Sequence, residues 1–276
     1  SDDGVPIADG TVMRRALEYS KIFGAPVVSH AEDPRLAGAG VMNEGAVSTR
    51  LGLKGIPNAA EDAMVARDLS LAELTGGRLH IAHVSTRGAV ELIRAAKARG
   101  VNVTAEATPH HLTLTDEAVA GYDTFTKMNP PLRAREDVDA LRAGLKDGTI
   151  DCIATDHAPQ SLIEKDVEFD KAANGIVGLE TAFSLAYGLV EEGVLTLDAI
   201  IRALTINPSK AFSLNKGSLR VGSQADIAIV DLNRTWTVDP GRLKSKSKNT
   251  PYAGRTLKGV VVKTIINGNI VLDCLK

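Results

Sequence analysis

The chain has 276 residues, 44% hydrophobic and 24% charged, with a formal net charge of −2. That length can bury a large core, as one α/β barrel or as two medium domains. The near-neutral charge gives no footing for nucleic acid or an acidic membrane as partner.

The chain opens on Ser1-Asp2-Asp3-Gly4, a polar turn with no strand pattern before it. From Gly10 to about Gly222, apolar β-rich runs then alternate with amphipathic helical patterns. A helix is predicted over 11–23 and a buried strand over 26–30, then a helix over 61–74 and a strand over 79–84. The stretch 87–99 has apolar residues at Val90, Ile93 and Ala96, with Gly100 as its C-terminal cap. Strand 102–108, helix 136–145 and strand 150–156 follow, and a long helix runs through Leu179, Ala182, Phe183, Ala186 and Val190. Such alternation implies parallel strands with right-handed crossovers, in a TIM-like barrel or an open doubly wound sheet.

The last 55 or so residues change character. Runs 225–230 and 259–272 are β-branched, Trp236-Thr237-Val238 lies between them, and Asn267-Gly268 signals a hairpin. The expected division is therefore a catalytic α/β unit over 1–222 and a small β unit over 223–276. The basic run 244–248 is expected to be a solvated loop. No apolar run approaches the roughly 20 residues that span a bilayer, and no signal-like N-terminus is present. Only Cys152 and Cys274 occur, so no disulfide framework is expected and a reducing cytoplasm is the default; Cys152 reads as a buried thiol.

Polar groups gather at the C-terminal ends of the predicted strands: His30, His83, Thr108-Pro109-His110-His111, and Asp156-His157. Active sites of α/β sheets and barrels assemble at this end. Two strand-ending histidines and an aspartate offer the neutral imidazoles and carboxylate that zinc requires, and Asp3 adds another carboxylate. His80, three residues before His83, points to the opposite strand face and reads as packing. His110 and His111 read either as donors orienting a ligand or as loop polar groups. Asn129 in Lys127-Met128-Asn129-Pro130-Pro131-Leu132-Arg133 either presents an amide to substrate or belongs to a turn. Glu106 is an acid within a strand, with no partner visible in the sequence.

The sequence resembles the type I bacterial dihydroorotases of the amidohydrolase superfamily, from Ser1 to the C-terminus. The motifs are Ser-Asp-Asp-Gly at 1–4, Ser-His-Ala-Glu-Asp at 29–33, Ala-His-Val-Ser-Thr at 82–86 and Val-Thr-Ala-Glu-Ala-Thr-Pro-His-His-Leu at 103–112. Lys-Met-Asn-Pro-Pro-Leu-Arg at 127–133, Ala-Thr-Asp-His-Ala-Pro at 154–159 and Asn-Gly-Ile-Val-Gly-Leu-Glu-Thr at 174–181 complete the set, in family order. The resemblance implies a distorted (β/α)8 barrel with a flanking β-sandwich and one or two zinc ions. It puts Asp3 in the place of the carboxylate shared by the metals, and His30 and His83 in those of two histidines on one metal. Asp156 takes the place of the aspartate that contacts the other metal and shuttles the proton. Asn129, Asn174 and Gly175 match positions that hold the pyrimidine ring. The implied reaction is the reversible hydrolysis of dihydroorotate to N-carbamoyl-L-aspartate in pyrimidine biosynthesis.

Two departures stand against that pattern. The His-x-His pair of the first barrel strand is absent, and the mapping starts the chain at the end of strand four. The missing part is expected as a further fragment, as lost, or as supplied by a partner. Gln160 also stands where the family usually has a histidine that helps bind the substrate carboxylate. The open alternatives are a dihydropyrimidinase, hydantoinase or allantoinase relative, and a silent dihydroorotase-like subunit scaffolding aspartate transcarbamoylase. Those enzyme relatives usually bridge their metals with a carboxylated lysine, whereas this chain offers Asp3 and no lysine before Lys21. The assemblies implied are a homodimer or a complex with aspartate transcarbamoylase.

Overall fold

A computed structural model describes residues 1–274; the last two residues of the expected β unit lie outside them. The strands are β1 (Val27–Ser29), β2 (Met42–Asn43), β3 (Gly55–Ile56), β4 (Leu79–Ile81), β5 (Val103–Ala107), β6 (Cys152–Ile153), β7 (Ile227–Thr237), β8 (Thr256–Ile266) and β9 (Asn269–Asp273). Strands β1, β4, β5 and β6 form a four-stranded parallel sheet in that order, an arc of the expected barrel. The helix Gly10–Ser20 precedes β1, and the helices Asn58–Thr75, Arg87–Ala98 and Arg135–Asp147 lie between successive strands of the sheet and supply the crossovers. β2 and β3 make a small parallel pair within the excursion between β1 and β4.

The pleat sorts the strand side chains onto two faces. Leu79, Ile81, Val103, Ala105, Ala107 and Ile153 join the main core with Met13, Leu17, Met64, Leu69, Ile93 and Leu141. Each large apolar side chain buried there contributes about 1.5–3 kcal/mol. His80, Thr104 and Glu106 alternate with these and face the other way, into the barrel interior. The helix Arg87–Ala98 starts where Thr86 accepts a hydrogen bond from Ala89 N. It ends where Gly100 takes a left-handed φ of 83°.

The parallel strands are shorter than the sequence predicts. β4 stops at Ile81 and β6 at Ile153, whereas the apolar runs extend to 84 and 156. His83 (φ 33°) and Asp156 (φ 43°) have positive φ, which breaks the extended geometry just where the functional side chains begin. The helix predicted from Leu179 begins only at Ala182, and Leu179 lies exposed in the preceding loop.

β7, β8 and β9 form one antiparallel sheet, the flanking β layer, with Trp236 inside β7. Asn267 and Gly268, both at positive φ, turn the β8–β9 hairpin as their sequence implies. The layer packs on the helix Ala182–Glu191 through Leu185, Val238 and Tyr252, and Trp236 Nε1 donates to Ser184 Oγ at 3.0 Å. Cys152 is buried and its thiol is pushed up to about 12, first by desolvation, so it stays protonated. No helix among the described residues is long and apolar enough to cross a membrane.

Candidate metal centre

Three side chains meet just past the ends of β1 and β4. His30 Nδ1 and His83 Nε2 are 2.9 Å apart, and Asp3 Oδ1 lies 3.4 Å from His83 Nε2 and 3.6 Å from His30 Nδ1. The opening turn is tied down by Asp2, whose carboxylate accepts from His30 N at 2.7 Å and from Ile7 N at 2.8 Å. His30 and His83 are buried, whereas the Asp3 side chain is 59% exposed, so the cluster opens on the Asp3 side. Two imidazole nitrogens at this separation need a proton or a cation between them, because two bare lone pairs repel. Among the described residues, these three are the group of donors that could hold a metal ion.

The electrostatics fit that use. Burial, then the neighbouring His83, lowers His30 to about 4, so its imidazole is neutral at pH 7, as a ligand must be. Burial opposes charge on His83, but the Asp3 hydrogen bond and the Asp156, Asp3 and Glu106 carboxylates outweigh it and raise that histidine. The His83 hydrogen bond in turn holds the Asp3 carboxyl below its ordinary range. A divalent cation would take the place of the shared proton.

Asp3, His30, Met128, Asn129, Asp156, Ala158, Asn174 and Gly175 line a cavity of about 250 Å³. Asp156 thus shares the cavity but stands outside the three-donor group. Desolvation raises its pKa, with Asp3 and Glu106 adding to the effect against His83. Asn129 Nδ2 is 3.4 Å from His30 Nε2, and Asn129 Oδ1 is buried with no partner among the described residues. When Nδ1 of His30 ligates a metal, its Nε2 carries the proton, and an Asn129 amide turned by 180° would supply the acceptor. Gln160 is not free to meet a ligand through its Nε2, which donates to Asn174 O at 2.8 Å.

Several residues that the sequence leaves open acquire partners. His111 donates from Nε2 to Pro130 O at 2.9 Å and accepts at Nδ1 from Thr108 Oγ1 at 2.8 Å, so it braces the Asn129 loop. His110 is buried beside it, with Nε2 unpartnered among the described residues. Glu106 finds its partner in His80. Lys165, which carries no signal in the sequence, is buried and donates to the carbonyls of Thr124, Lys127 and Ala173. Its ammonium thereby joins the segment before Asn129 to the segment before Asn174. Burial and the nearby Lys127 charge lower it to about 8. A lone surface-type lysine gives no hint of such a role, because its three acceptors are backbone atoms scattered over 50 residues.

Residues 2–271 match the model of the Amidohydrolase family. The chain belongs to the amidohydrolase family. It is 62% identical over 273 residues to a dihydroorotase of Anaeromyxobacter sp. (strain K), covering 98% of this chain and 63% of that protein. It is 59% identical over 271 residues to a dihydroorotase of Geobacter metallireducens, covering 98% and 64%. This amidohydrolase thus spans less than two thirds of the length of the curated relatives it matches. Among solved structures it superposes on the L-hydantoinase (dihydropyrimidinase) of Arthrobacter aurescens with a TM-score of 0.88 at 27% identity, covering all of this chain and 63% of that one. A D-hydantoinase structure matches with a TM-score of 0.85 at 26% identity, over 98% of this chain and 62% of that one. The amidohydrolase barrel fold follows from these matches and from the parallel sheet, and the donor cluster sits where that fold builds its site, at the carboxyl ends of the strands.

Proposed function

We propose that this chain carries a zinc-dependent cyclic-amide hydrolase site that interconverts dihydroorotate and N-carbamoyl-L-aspartate. The observation that carries the reading is the convergence of Asp3, His30 and His83, whose ligand atoms all lie within 4.8 Å of one another. Four-coordinate zinc, with bonds of about 2.0–2.1 Å, spaces its ligands about 3.3 Å apart; the separations of 2.9, 3.4 and 3.6 Å bracket that value. Identity of about 60% to dihydroorotases, against 26–27% to the hydantoinases, supports the dihydroorotate ring over other cyclic amides.

Zinc, when bound, supplies Lewis acidity toward a water and toward the amide carbonyl. Asp156 is the proton carrier: burial makes its carboxylate more basic than an exposed aspartate, so it takes a proton from the attacking water and passes it to the departing ring nitrogen. Asn129, Asn174 and Gly175 are the ring contacts. Gln160 holds the carbonyl of Asn174, so its contribution is to the wall that faces the substrate. A homodimer and an aspartate transcarbamoylase partner belong to the same proposal as assemblies to test by size.

The test is metal analysis of the purified native protein, together with ring opening and closing assayed on dihydroorotate and carbamoyl-aspartate. Stoichiometric zinc is expected, and replacing both His30 and His83 with Ala should remove the metal and the turnover together. Unchanged metal content in that variant would refute the assignment.

A further inference from the structure

Two backbone segments form one wall of the cavity, one at Ala158 and the other at Asn174 and Gly175. They run very close. Gly175 has a φ of 144°, and a Cβ built on it would lie 2.5 Å from Ala158 O, so no side chain fits between them. Ala158 N donates to Ile176 O at 3.0 Å, and Gln160 Nε2 donates to Asn174 O.

A third element enters from outside the barrel. Asn249, in the connection between β7 and β8, is 1% exposed. Its Nδ2 donates to both Ala158 O and Gly175 O at 2.9 Å, and its Oδ1 accepts from Gln160 N at 3.1 Å. Its own carbonyl accepts from Val177 N at 3.0 Å. We propose that Asn249 is a positioning residue of the substrate cavity: its carboxamide fixes the spacing of the Ala158 and Gly175 backbones that line it.

The chemistry singles out asparagine. The site needs two donors aimed at carbonyl oxygens and one acceptor aimed at an N–H, all from a short side chain. Aspartate has the same shape but would turn an oxygen toward two carbonyl oxygens, and serine is too short to reach both. The sequence hides this residue because it follows a basic run that reads as a solvated loop. Residues 244–247 are such a loop, and Lys248 already folds back, donating to Leu243 O and Ser245 O. The chain then turns inward at Asn249 and Thr250. The β layer thereby acquires a part in the site: it carries the connection that cross-links the cavity wall. The metal donors Asp3, His30 and His83 come from other segments and receive no hydrogen bond from Asn249.

The inference rests on the function proposed above for the word substrate; the cross-link itself stands on the hydrogen bonds. The test compares the unsubstituted chain with Asn249→Ser and Asn249→Asp by backbone amide exchange, zinc content, and KM and kcat for dihydroorotate. Exchange is expected to rise about tenfold or more in peptides covering 156–160 and 174–178, as loss of one or two hydrogen bonds implies. Peptides covering His30 and His83, and the zinc content, should stay as they were, while KM rises more than kcat falls. Unchanged exchange in both variants overturns the proposal. So does exchange that rises along the whole chain in both, because Asn249 would then hold the fold and not the wall. Local opening with KM unmoved overturns the positioning role. If the unsubstituted chain turns over no dihydroorotate but both variants still open locally, the proposed function fails while the cross-link is supported.

Discussion

His80 donates from Nε2 to Glu106 at 2.9 Å across adjacent parallel strands, and its Nδ1 accepts from Thr104 Oγ1 at 2.7 Å. The imidazole is fully buried and tilts against the Phe212 ring at 4.7 Å. This is the barrel-interior face, so the pair fills the floor below the metal donors with a satisfied polar contact. His80→Leu strands the Glu106 carboxylate and the Thr104 hydroxyl together. The expected loss is about 2–3 kcal/mol in urea unfolding, with Thr104→Val costing only about 1 kcal/mol. A loss in His80→Leu no larger than that of Thr104→Val would mean that the interior face is too wet for the pair to matter.

A second buried network holds the loop after His83. Glu61 accepts from Ser85 N at 2.8 Å and Thr86 N at 3.2 Å, and from the Ser85 hydroxyl. Arg133 donates to Ser85 Oγ, Asn43 Oδ1 and Ile56 O, with its Nη2 3.8 Å from Glu61. Both charges are buried, and desolvation raises Glu61 and lowers Arg133. Glu61→Ala removes the strongest counter-charge of the guanidinium, leaving only Asp137, Asp62 and Glu32 to act on it, and should cost about 3 kcal/mol. Because Ser85 is two residues from His83, zinc affinity measured by chelator competition should fall as well. Full zinc affinity in a destabilised Glu61→Ala would separate the loop from the metal donors.

Acid should expose the buried state of His111. Burial, partly offset by its hydrogen bond to Pro130, lowers it to about 3. Between pH 6.5 and 3 the unfolded chain therefore binds a proton that the folded chain does not, so stability falls as pH falls through that window and is complete above it. His111→Gln can keep the donor to Pro130 without titrating. The stability gap between the two proteins should shrink by on the order of 2 kcal/mol between pH 6.5 and 5. A gap constant with pH, read by urea unfolding, would show that the imidazole is hydrated.

These networks mark where sequence reading stops. Apolar β-rich runs bracketed by helical patterns reveal β1, β4, β5 and β6, and histidines at the ends of the first two reveal His30 and His83, because both signals are local. Strand length is not local. The backbone takes positive φ at His83 and Asp156, which no residue pattern announces, so the strands end early although their apolar runs continue. Nor is polar pairing: Glu106 meets His80 from 26 residues away and Asn249 meets Ala158 from 91. No motif links such pairs, and only the tertiary fold brings them together. Gln160 illustrates the same point, since its departure from the family histidine is plain in the sequence but its bond to Asn174 O is not.

The donor cluster makes a prediction that separates affinity from folding. Asp3 is 59% exposed and sits near the start of the chain, whereas His30 and His83 are packed edge to face with ring centroids 4.7 Å apart. A ligand that binds only the folded chain stabilises it by RT ln(1 + [L]/Kd), about 2.7 kcal/mol at a hundredfold excess over Kd. Zinc should therefore raise the melting temperature of the unsubstituted protein in a concentration-dependent way, and chelator should reverse it. Asp3→Ala removes a ligand without opening a buried cavity, so the metal-free melting temperature should stay within a degree or two while the zinc-induced rise shrinks. His30→Ala removes a ligand and also empties a packed site, so it should lower the metal-free melting temperature and abolish the rise. A zinc response that survives unaltered in Asp3→Ala would take the carboxylate out of the coordination set and leave the two histidines to bind with a ligand from elsewhere.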